Sequence, residues 1–483
     1  MTSASEFLSV SFYSSDITGT TYQPSEIVLQ CKKVFKNIIA YDKFDFDGKK
    51  ESMYALRPAF DTVADMIGKG KKVPESLLEI FAQNPEYSAK LDSLINAKDK
   101  VPFKIFDKKN AEKLFGKNLN ISASQLEKFN LCRFSYFCNY GLNVRERQKA
   151  EINSMQYGTI VHYILERFFG EYTKEEYLSL EEDKFQKIVC AYLAEYAVKY
   201  FGEEQLESNS FTYRLKTILD NVMHLMKHIM EELSQSEFFV ADCELKIGED
   251  IPSYTIVLPD GHKIAVCGSV DRVDIMQRAD ITYLRIIDYK TGTKQFKLSD
   301  ILYGINLQML LYLHSIEASG GDKYGEIVPA GILYMPATVP YISSDSLKSI
   351  DKLPDELNKK LKMNGLLLKD TEIIHGMDKT DAATYIPVKI KAGEPVSSTS
   401  LATLAEFGKI FKKVDMLIAE MGKNIYNGNI EAKPLKGGHD SCEYCPYDSV
   451  CAYRQSNPIT CFSVDNKTVI EEITNEINGK EEE

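Results

Sequence analysis

Alternation of apolar and polar residues sets the middle of the chain apart from its flanks. Between about residues 239 and 290, apolar residues recur at every second position, as in strands whose successive side chains point to opposite faces of a sheet. The sequence Pro-Asp-Gly-His at 259–262 is typical of a hairpin turn. We therefore predict four strands and then a fifth that is apolar enough to be interior, at 239–247, 254–258, 263–276, 281–290 and 328–335.

Helical spacing prevails on both sides of this predicted sheet. Residues 155–169 carry an apolar stripe at intervals of three and four, which leaves His162 on a different face. Ser124 and Glu127 have the spacing of a capping box, which predicts the start of a helix that delivers Cys132. Further helices are predicted from Ser299 or Asp300 to about Ser315, and at about 401–426.

These patterns divide the chain into three parts. Residues 1–120 form a polar, lysine-rich and helical appendage, and residues 121–456 form the main domain, with an insertion at about 338–400. Residues 457–483 end in an acidic run that we expect to be disordered. The predicted fold class is α/β, with a mixed central sheet flanked by helices.

Composition narrows the possible functions. A net charge of −12 over 483 residues argues against a generally basic nucleic-acid coat protein, but a nuclease needs only local positive charge and a metal. No apolar run reaches the roughly 18 residues of a membrane span, and the N-terminus lacks the pattern of a signal peptide. We therefore expect no membrane association and a cytoplasmic protein whose ten cysteines are reduced.

The candidate catalytic and metal-binding residues lie on or near the predicted strand that ends in Asp288-Tyr-Lys290-Thr-Gly. Asp288 and Lys290 are two residues apart and so point to the same face of that strand. Asp271, on the preceding strand, is placed to meet Asp288 at one metal ion, and His162 is a third ligand from a packed helix. Carboxylates suit Mg²⁺, and an added imidazole admits Mn²⁺.

The remaining polar residues complete a hypothesis of phosphodiester hydrolysis, which needs a Lewis acid, an attacking hydroxide and charge neutralisation. Lys290 would orient or deprotonate the water and neutralise the transition state. Gln308 and Tyr312 share a helix face and offer neutral hydrogen bonds, while Glu244 accepts a hydrogen bond from a ligand or contacts a second metal. Each of these motifs, taken alone, could be no more than the polar residues that usually occur at strand ends and helix boundaries. The order in which they follow one another along the chain favours a nuclease.

Three cysteines form a separate cluster near the C-terminus, Cys442-x2-Cys445-x5-Cys451. Three thiolates leave a zinc ion or a four-iron cluster one ligand short. The candidates for the fourth ligand are Cys132, Cys138 and Cys461.

Together these motifs resemble the RecB-like branch of the PD-(D/E)xK nucleases, and within it the C-terminal part of the AddB family of helicase–nuclease subunits. The segments that carry the resemblance include Ser122–Leu142, Gly158-x3-His162-x3-Glu166, Gly268-x2-Asp271-Arg272-x-Asp274, Asp288–Gly292 and Gln308-x3-Tyr312. The resemblance implies a Mg²⁺- or Mn²⁺-dependent DNA exonuclease that processes double-strand breaks for recombinational repair. Its implied metal ligands are His162, Asp271, Asp288 and the backbone carbonyl of Tyr289.

The resemblance also implies a 4Fe–4S cluster that staples the domain through Cys132, Cys442, Cys445 and Cys451, with structural Zn²⁺ as the alternative. The implied partners are DNA ends and an AddA-like helicase–nuclease subunit, and residues 1–120 would end a helicase-like region. No phosphate-binding G-x4-G-K-[ST] motif is present, so ATP hydrolysis is not assigned to this chain. The rival hypotheses are a catalytically weak DNA-clamping subunit of the same fold, a stand-alone CRISPR-associated exonuclease and a zinc-stapled interaction module.

Overall fold

The structure is a computed structural model that divides the chain into two compact units, Met1–Val101 and Pro102–Glu483. It describes residues 10, 23–35, 55–68, 71–96, 104–145, 154–202, 208–292, 295–338, 353–397, 399–451, 453 and 458–481. Within these ranges, every helix is too short or too polar to cross a lipid bilayer.

The described part of the first unit consists mainly of helices, namely α1 (Glu26–Val34), α2 (Leu56–Gly68), α3 (Glu75–Gln83) and α4 (Ser88–Asn96). Phe60, Phe81 and Tyr87 form the centre of a small core, with ring centroids 4.9–5.6 Å apart, and Val63 and Leu91 are buried beside them. The residues of this core come from α2, α3 and α4 and from the segments that join them.

A six-stranded mixed sheet forms the centre of the second unit, as the sequence predicts. Its order is β11-β8-β7-β6-β5-β2, in which the β6–β7 and β8–β11 pairs are parallel and the others antiparallel. The strands of this sheet are β2 (Phe239–Ile247), β5 (Gly268–Arg278), β6 (Ile281–Lys290), β7 (Glu326–Pro336), β8 (Asn364–Leu368) and β11 (Leu401–Ala402).

Shorter strands form three small sheets around the central one. One of them has three strands: β4 (Lys263–Val266) lies in the middle and pairs in parallel with β1 (Asn118–Ile121) and antiparallel with β3 (Thr255–Val257). The other two sheets are two-stranded and consist of β9 (Lys389–Lys391) with β10 (Glu394–Val396), and of β12 (Leu435–Gly437) with β13 (Ile459–Cys461).

Helices cover the sheet of the second unit and contribute most of its apolar core. The long ones carry stripes of buried residues, such as Ile160 and Phe168 on α8 or Phe407 and Ile418 on α16. In chain order the helices are α5 (Lys108–Phe115), α6 (Ala123–Leu131), α7 (Arg133–Tyr136, continued by a π-helical turn Phe137–Gly141), α8 (Ser154–Glu171), α9 (Lys174–Leu178), α10 (Glu182–Phe201), α11 (Asn209–Ser234), α12 (Gln308–Ser319), α13 (Gly321–Tyr324), α14 (Leu353–Leu361), α15 (Thr371–Met377), α16 (Leu404–Tyr426) and α17 (Asn466–Glu481).

Two predicted helix starts are wrong in position. The cap of α6 is Ser122 with Gln125, whose side chains exchange hydrogen bonds with each other's backbone N–H, so Ser124 and Glu127 do not form it. The helix predicted from Ser299 or Asp300 is split. Leu298–Tyr303 is a 3-10 turn, and Gly304 and Asn306 have φ of +69° and +58°, which interrupts the helix until Gln308.

The compact units do not have the same limits as the predicted parts, which stay predictions. The first unit ends at Val101, before the predicted limit at residue 120. The Ile105 N–H donates to the carbonyl of Gly428, just after α16, and the Gly116 carbonyl accepts from the hydroxyl of Tyr426, the last residue of α16. The segment 338–400 is not a simple insertion: β8 pairs with β7 inside the central sheet, although residues 339–352 lie outside the described ranges. The tail is not disordered from residue 466 onward, because α17 buries Val469 and Ile473 in the main core.

Four charged side chains with no solvent exposure hold the sheet against α11. Arg272 and Arg285 are fully buried on neighbouring strands, and Asp274 lies 2.8 Å from Nε of Arg272 and 2.9 Å from Nη2 of Arg285. Glu232 on α11 binds both guanidinium groups, at 3.1 and 2.5 Å. Arg272 is thus a buried ion-pair partner of Asp274.

We predict that Glu232→Gln destabilises the second unit by about 3–5 kcal/mol, because it leaves a buried positive charge without a counter-charge. Urea denaturation followed by circular dichroism measures the change. Glu231→Gln, on the exposed neighbour, is the matched control and should cost less than about 0.5 kcal/mol. Equal destabilisation by both variants would refute the role of the buried network.

The buried side chain of His314, on α12, forms a polar contact with α16. Its Nε2 lies 3.0 Å from Oδ1 of Asp415, and its Nδ1 lies 3.6 Å from Glu317. The ring stacks on Phe411, and Tyr254 donates to the same Asp415 oxygen. Burial lowers the pKa of His314, but the two carboxylates outweigh it and raise this pKa to about 9.

The raised pKa of His314 predicts a loss of stability in mild base. The stabilisation is complete below an unfolded pKa near 6.5, disappears as pH rises through about 9, and amounts to roughly 3 kcal/mol at most. Urea titrations at pH 6 and pH 10 should show this loss in the wild type and in the control His224→Asn, whose histidine is exposed. A loss of the same size in His314→Asn would contradict the assignment.

Candidate active site

Three carboxylates lie side by side across neighbouring strands of the central sheet. Arg272 pairs with Cys243 on one side and with Ile287 on the other. Continuing each register by one residue brings Asp271 opposite both Glu244 and Asp288. The sequence identified the two aspartates as partners, and the antiparallel pairing of β5 with β6 explains why they meet.

His162 reaches this row from α8, which packs against β2 and β6. Its Nδ1 lies 2.8 Å from Oε1 of Glu244, and its Nε2 lies 3.6 Å from Oδ2 of Asp271. Because a carboxylate only accepts, Nδ1 carries the proton of the hydrogen bond and Nε2 faces Asp271. Histidine ligands of metals usually have this arrangement, with the second ring nitrogen donating to a carboxylate.

The backbone at Glu244 is strained. Its φ of +51° lies in the left-handed region, which non-glycine residues rarely adopt within a strand. The carboxylate is fixed at both oxygens, since Oε2 accepts from Ser269 at 2.8 Å and Oε1 contacts His162. The strained backbone thus aims a doubly held carboxylate at His162.

The electrostatics of this group favour a bound cation. Burial and the charge of Asp288 raise the pKa of Asp271 to about 7, although the Tyr289 N–H donates to Asp271 at 2.9 Å. Burial opposes ionisation of His162 and Glu244, but their mutual hydrogen bond outweighs it, so the pKa of His162 is raised and that of Glu244 is lowered. Three clustered carboxylates and one imidazole therefore form a site of excess negative charge.

The donor set fits a divalent metal. Ligand atoms of His162, Glu244 and Asp271 all lie within 4.8 Å of one another, and among the described residues this is the group with that property. Oxygen donors with one imidazole suit Mg²⁺ or Mn²⁺. Asp288, opposite Asp271 on the neighbouring strand, contacts the Lys290 ammonium through Oδ2.

Lys290 contacts the buried carboxylate of Asp288. The side chain of Lys290 is 26% exposed and that of Asp288 only 3%, while His162 and Glu244 are 28% and 26% exposed, so solvent reaches all of these residues except Asp288. The Nζ atom also lies 5.9 Å from the centroid of the Tyr334 ring. The contact between Lys290 and Asp288 agrees with the prediction that both side chains lie on the same face of the strand.

Gln308 and Tyr312 enter from α12, Gln308 half-buried at its first position and Tyr312 buried one turn later. The Tyr312 hydroxyl packs against Gly268, where an added Cβ would lie only 2.3 Å from it. Burial raises the pKa of Tyr312 to about 12, and the nearby charges of Asp271 and Asp288 add to the increase. Tyr312 thus remains a neutral hydroxyl beside the carboxylates.

Two of the sequence predictions concern Glu244 and Tyr289. Glu244 accepts a hydrogen bond from Nδ1 of His162, as expected for an acceptor from a ligand, and its contact with a metal stays a prediction. The pairing of β2 with β5 places Glu244 opposite Asp271, while its left-handed φ of +51° has no signal in the strand alternation. The role of the Tyr289 carbonyl as a ligand stays a prediction.

The cysteines form a second centre away from the carboxylates. Cys132 and Cys138 are buried in one cluster, against which Cys445 and Cys451 pack. Burial raises the pKa of the Cys132 thiol, but three backbone hydrogen bonds, from Ser135, Phe134 and Lys433, oppose the increase. Cys461 belongs to a different cluster, with Ile305 and Leu435, so it is separated from the trio's packing.

Comparison with known proteins agrees with this architecture. A family model described as PD-(D/E)XK nuclease superfamily matches residues 120–452. A protein of Clostridium acetobutylicum, named as the B subunit of an ATP-dependent helicase/deoxyribonuclease, is 31% identical over 94% of this chain and 41% of its own length. Proteins of the same name from Thermoanaerobacter sp. and Clostridium kluyveri are each 30% identical, over 94% and 100% of this chain and 41% and 44% of theirs.

The chain therefore spans less than half the length of these curated relatives. The family model, in contrast, covers most of the chain and includes every residue of the carboxylate site as well as all four predicted cluster cysteines. Fold, site and family model agree that this chain belongs to the PD-(D/E)XK nuclease superfamily.

Proposed function

We propose that this chain is the nuclease part of a helicase–nuclease subunit and cleaves DNA with a divalent metal. The observation that carries the proposal is the convergence of His162, Glu244 and Asp271 on one sheet, next to the Asp288–Lys290 pair. The match to relatives named as helicase/deoxyribonuclease B subunits supports DNA as the substrate.

The residues divide the work of phosphodiester hydrolysis. When bound, the metal supplies Lewis acidity and lowers the pKa of a water molecule. His162 and the carboxylates of Asp271 and Asp288 would hold it, and the Tyr289 carbonyl is a further candidate ligand. Lys290 orients the attacking water and offsets the charge that develops on the phosphate. Gln308 and Tyr312 donate neutral hydrogen bonds to the substrate, or accept one from the Lys290 ammonium.

The wider biological role is part of the same proposal and comes from the resemblance to the AddB family. The chain would act as an exonuclease on DNA ends, bound to an AddA-like helicase–nuclease subunit, and process double-strand breaks for recombinational repair. Cytoplasmic location is the corresponding expectation. The second candidate, a DNA-clamping subunit without catalysis, is disfavoured by the presence of Asp271, Asp288 and Lys290 in contact positions.

We also propose that Cys132, Cys442, Cys445 and Cys451 hold a 4Fe–4S cluster. Backbone N–H groups aimed at Cys132 support thiolate ligation, since hydrogen bonds to sulfur are characteristic of iron–sulfur sites. Structural Zn²⁺ on the same four thiolates is the alternative.

We predict that Lys290→Ala reduces cleavage of linear DNA by about 10²-fold or more, because it removes the charge nearest the reacting phosphate. The measurement is release of labelled nucleotides with Mg²⁺ or Mn²⁺, with and without the helicase partner. Lys246→Ala, an exposed lysine of the same sheet, is the matched control and should keep wild-type activity. Normal turnover by folded Lys290→Ala protein would exclude the proposed site.

The cluster proposal predicts a brown protein with about four irons per chain when purified without oxygen. Cys451→Ser should remove the colour and most of the iron, whereas Cys190→Ser, on α10, should retain both. Iron, sulfide and zinc analysis measures the outcome. A colourless wild type with one zinc per chain would overturn the iron–sulfur proposal and leave the nuclease proposal intact.

A further inference from the structure

Glu127 on α6 makes a long-range contact at the start of α12. Its Oε1 accepts a hydrogen bond from the backbone N–H of Leu307 at 2.8 Å, across 180 residues of sequence. Leu307 is fully buried and directly precedes α12, where backbone N–H groups lack partners within the helix. A carboxylate is the favoured partner for such a helix start.

Two neighbours of Glu127 on α6 secure the same segment. Asn130 donates from Nδ2 to the carbonyl of Gly304 at 3.0 Å. Gly304 has φ of +69°, and a Cβ there would lie 2.2 Å from Asn130 Nδ2, so the Asn130 side chain packs directly on the Gly304 backbone. The backbone of Ala123, at the first turn of α6, forms a hydrogen bond with the Tyr312 hydroxyl.

The segment held in this way carries two residues of the candidate active site. Gln308 follows Leu307 directly, and Tyr312 packs on Gly268 at the start of the strand that bears Asp271. Tyr334 lies beside both places: its ring centroid is 5.9 Å from Nζ of Lys290, and its hydroxyl donates to Oδ1 of Asn306, the residue before Leu307, at 3.2 Å. Glu127 thus lies near the site without belonging to its ligand group.

The cap of α6 leaves Glu127 available for this contact. Ser122 and Gln125 satisfy the first turn of α6 by exchanging hydrogen bonds, so Glu127 has no capping role in its own helix. Gln125 therefore provides a matched control, because its replacement weakens the same helix without touching Leu307.

We infer that Glu127 is a positioning residue of the nuclease: it fixes the start of α12 and thereby the places of Gln308 and Tyr312 beside the carboxylates. The inference rests on the proposed function for its kinetic consequence. The structural part, that Glu127 orders residues 303–316, is independent of whether the chain cleaves DNA.

The test compares Glu127→Ala, Glu127→Gln and Gln125→Ala in the full chain with its helicase partner. Hydrogen–deuterium exchange of peptides within 303–316 reports the order of the segment, and kcat and KM are measured on linear DNA with Mn²⁺. Glu127→Ala should speed exchange of this segment and lower kcat about ten- to hundredfold with KM within about twofold. Glu127→Gln, which keeps an acceptor oxygen, should restore most of both, and Gln125→Ala should change neither.

Unchanged exchange of 303–316 in Glu127→Ala would overturn the inference, and so would an equal effect of Gln125→Ala. A fall in kcat that Glu127→Gln does not relieve would also overturn it, because the acceptor would then not matter. If the wild type shows no cleavage, the proposed function fails, while the exchange data still decide whether Glu127 orders the start of α12.

Discussion

Crowding of negative charge on one row of the sheet is the constraint that organises this protein. Glu244, Asp271 and Asp288 occupy neighbouring strands at one level, and water screens Asp271 and Asp288 little, because their side chains are 10% and 3% exposed. The surrounding structure supplies compensation from several directions: His162 from α8, Lys290 from the same strand as Asp288, and the Tyr289 N–H. Much of the fold can be understood as the support that holds these compensating groups in place.

The opposite face of the same strands also carries buried charges, but there they are paired with one another. Side chains that alternate with the carboxylate row, among them Arg272, Asp274 and Arg285, point toward α11 and pair with Glu232 there. Their charges cancel, so this face needs no ion. One set of strands therefore carries a closed, neutral network on one side and an open, charged one on the other, and only the second is suited to chemistry.

Much of this arrangement was predictable from local sequence. Strand alternation placed Asp288 with Lys290, and the hairpin order placed Asp271 next to them. Three features depend on distant contacts and carry no local signal: the left-handed backbone of Glu244, the contact of Glu127 with Leu307, and the place of β8 in the central sheet. The acidic composition of α17 led to the wrong expectation of disorder. The helix folds against the core because Val469 and Ile473 are buried there.

The buried quartet also limits how this sequence can diverge. A single replacement of Glu232, Asp274, Arg272 or Arg285 leaves an uncompensated charge in the interior, whereas an apolar replacement of an oppositely charged pair does not. Changes at these positions should therefore occur together. Between distant relatives, the four positions would be inherited as a block or exchanged as pairs, even though they are spread over more than fifty residues and three secondary-structure elements.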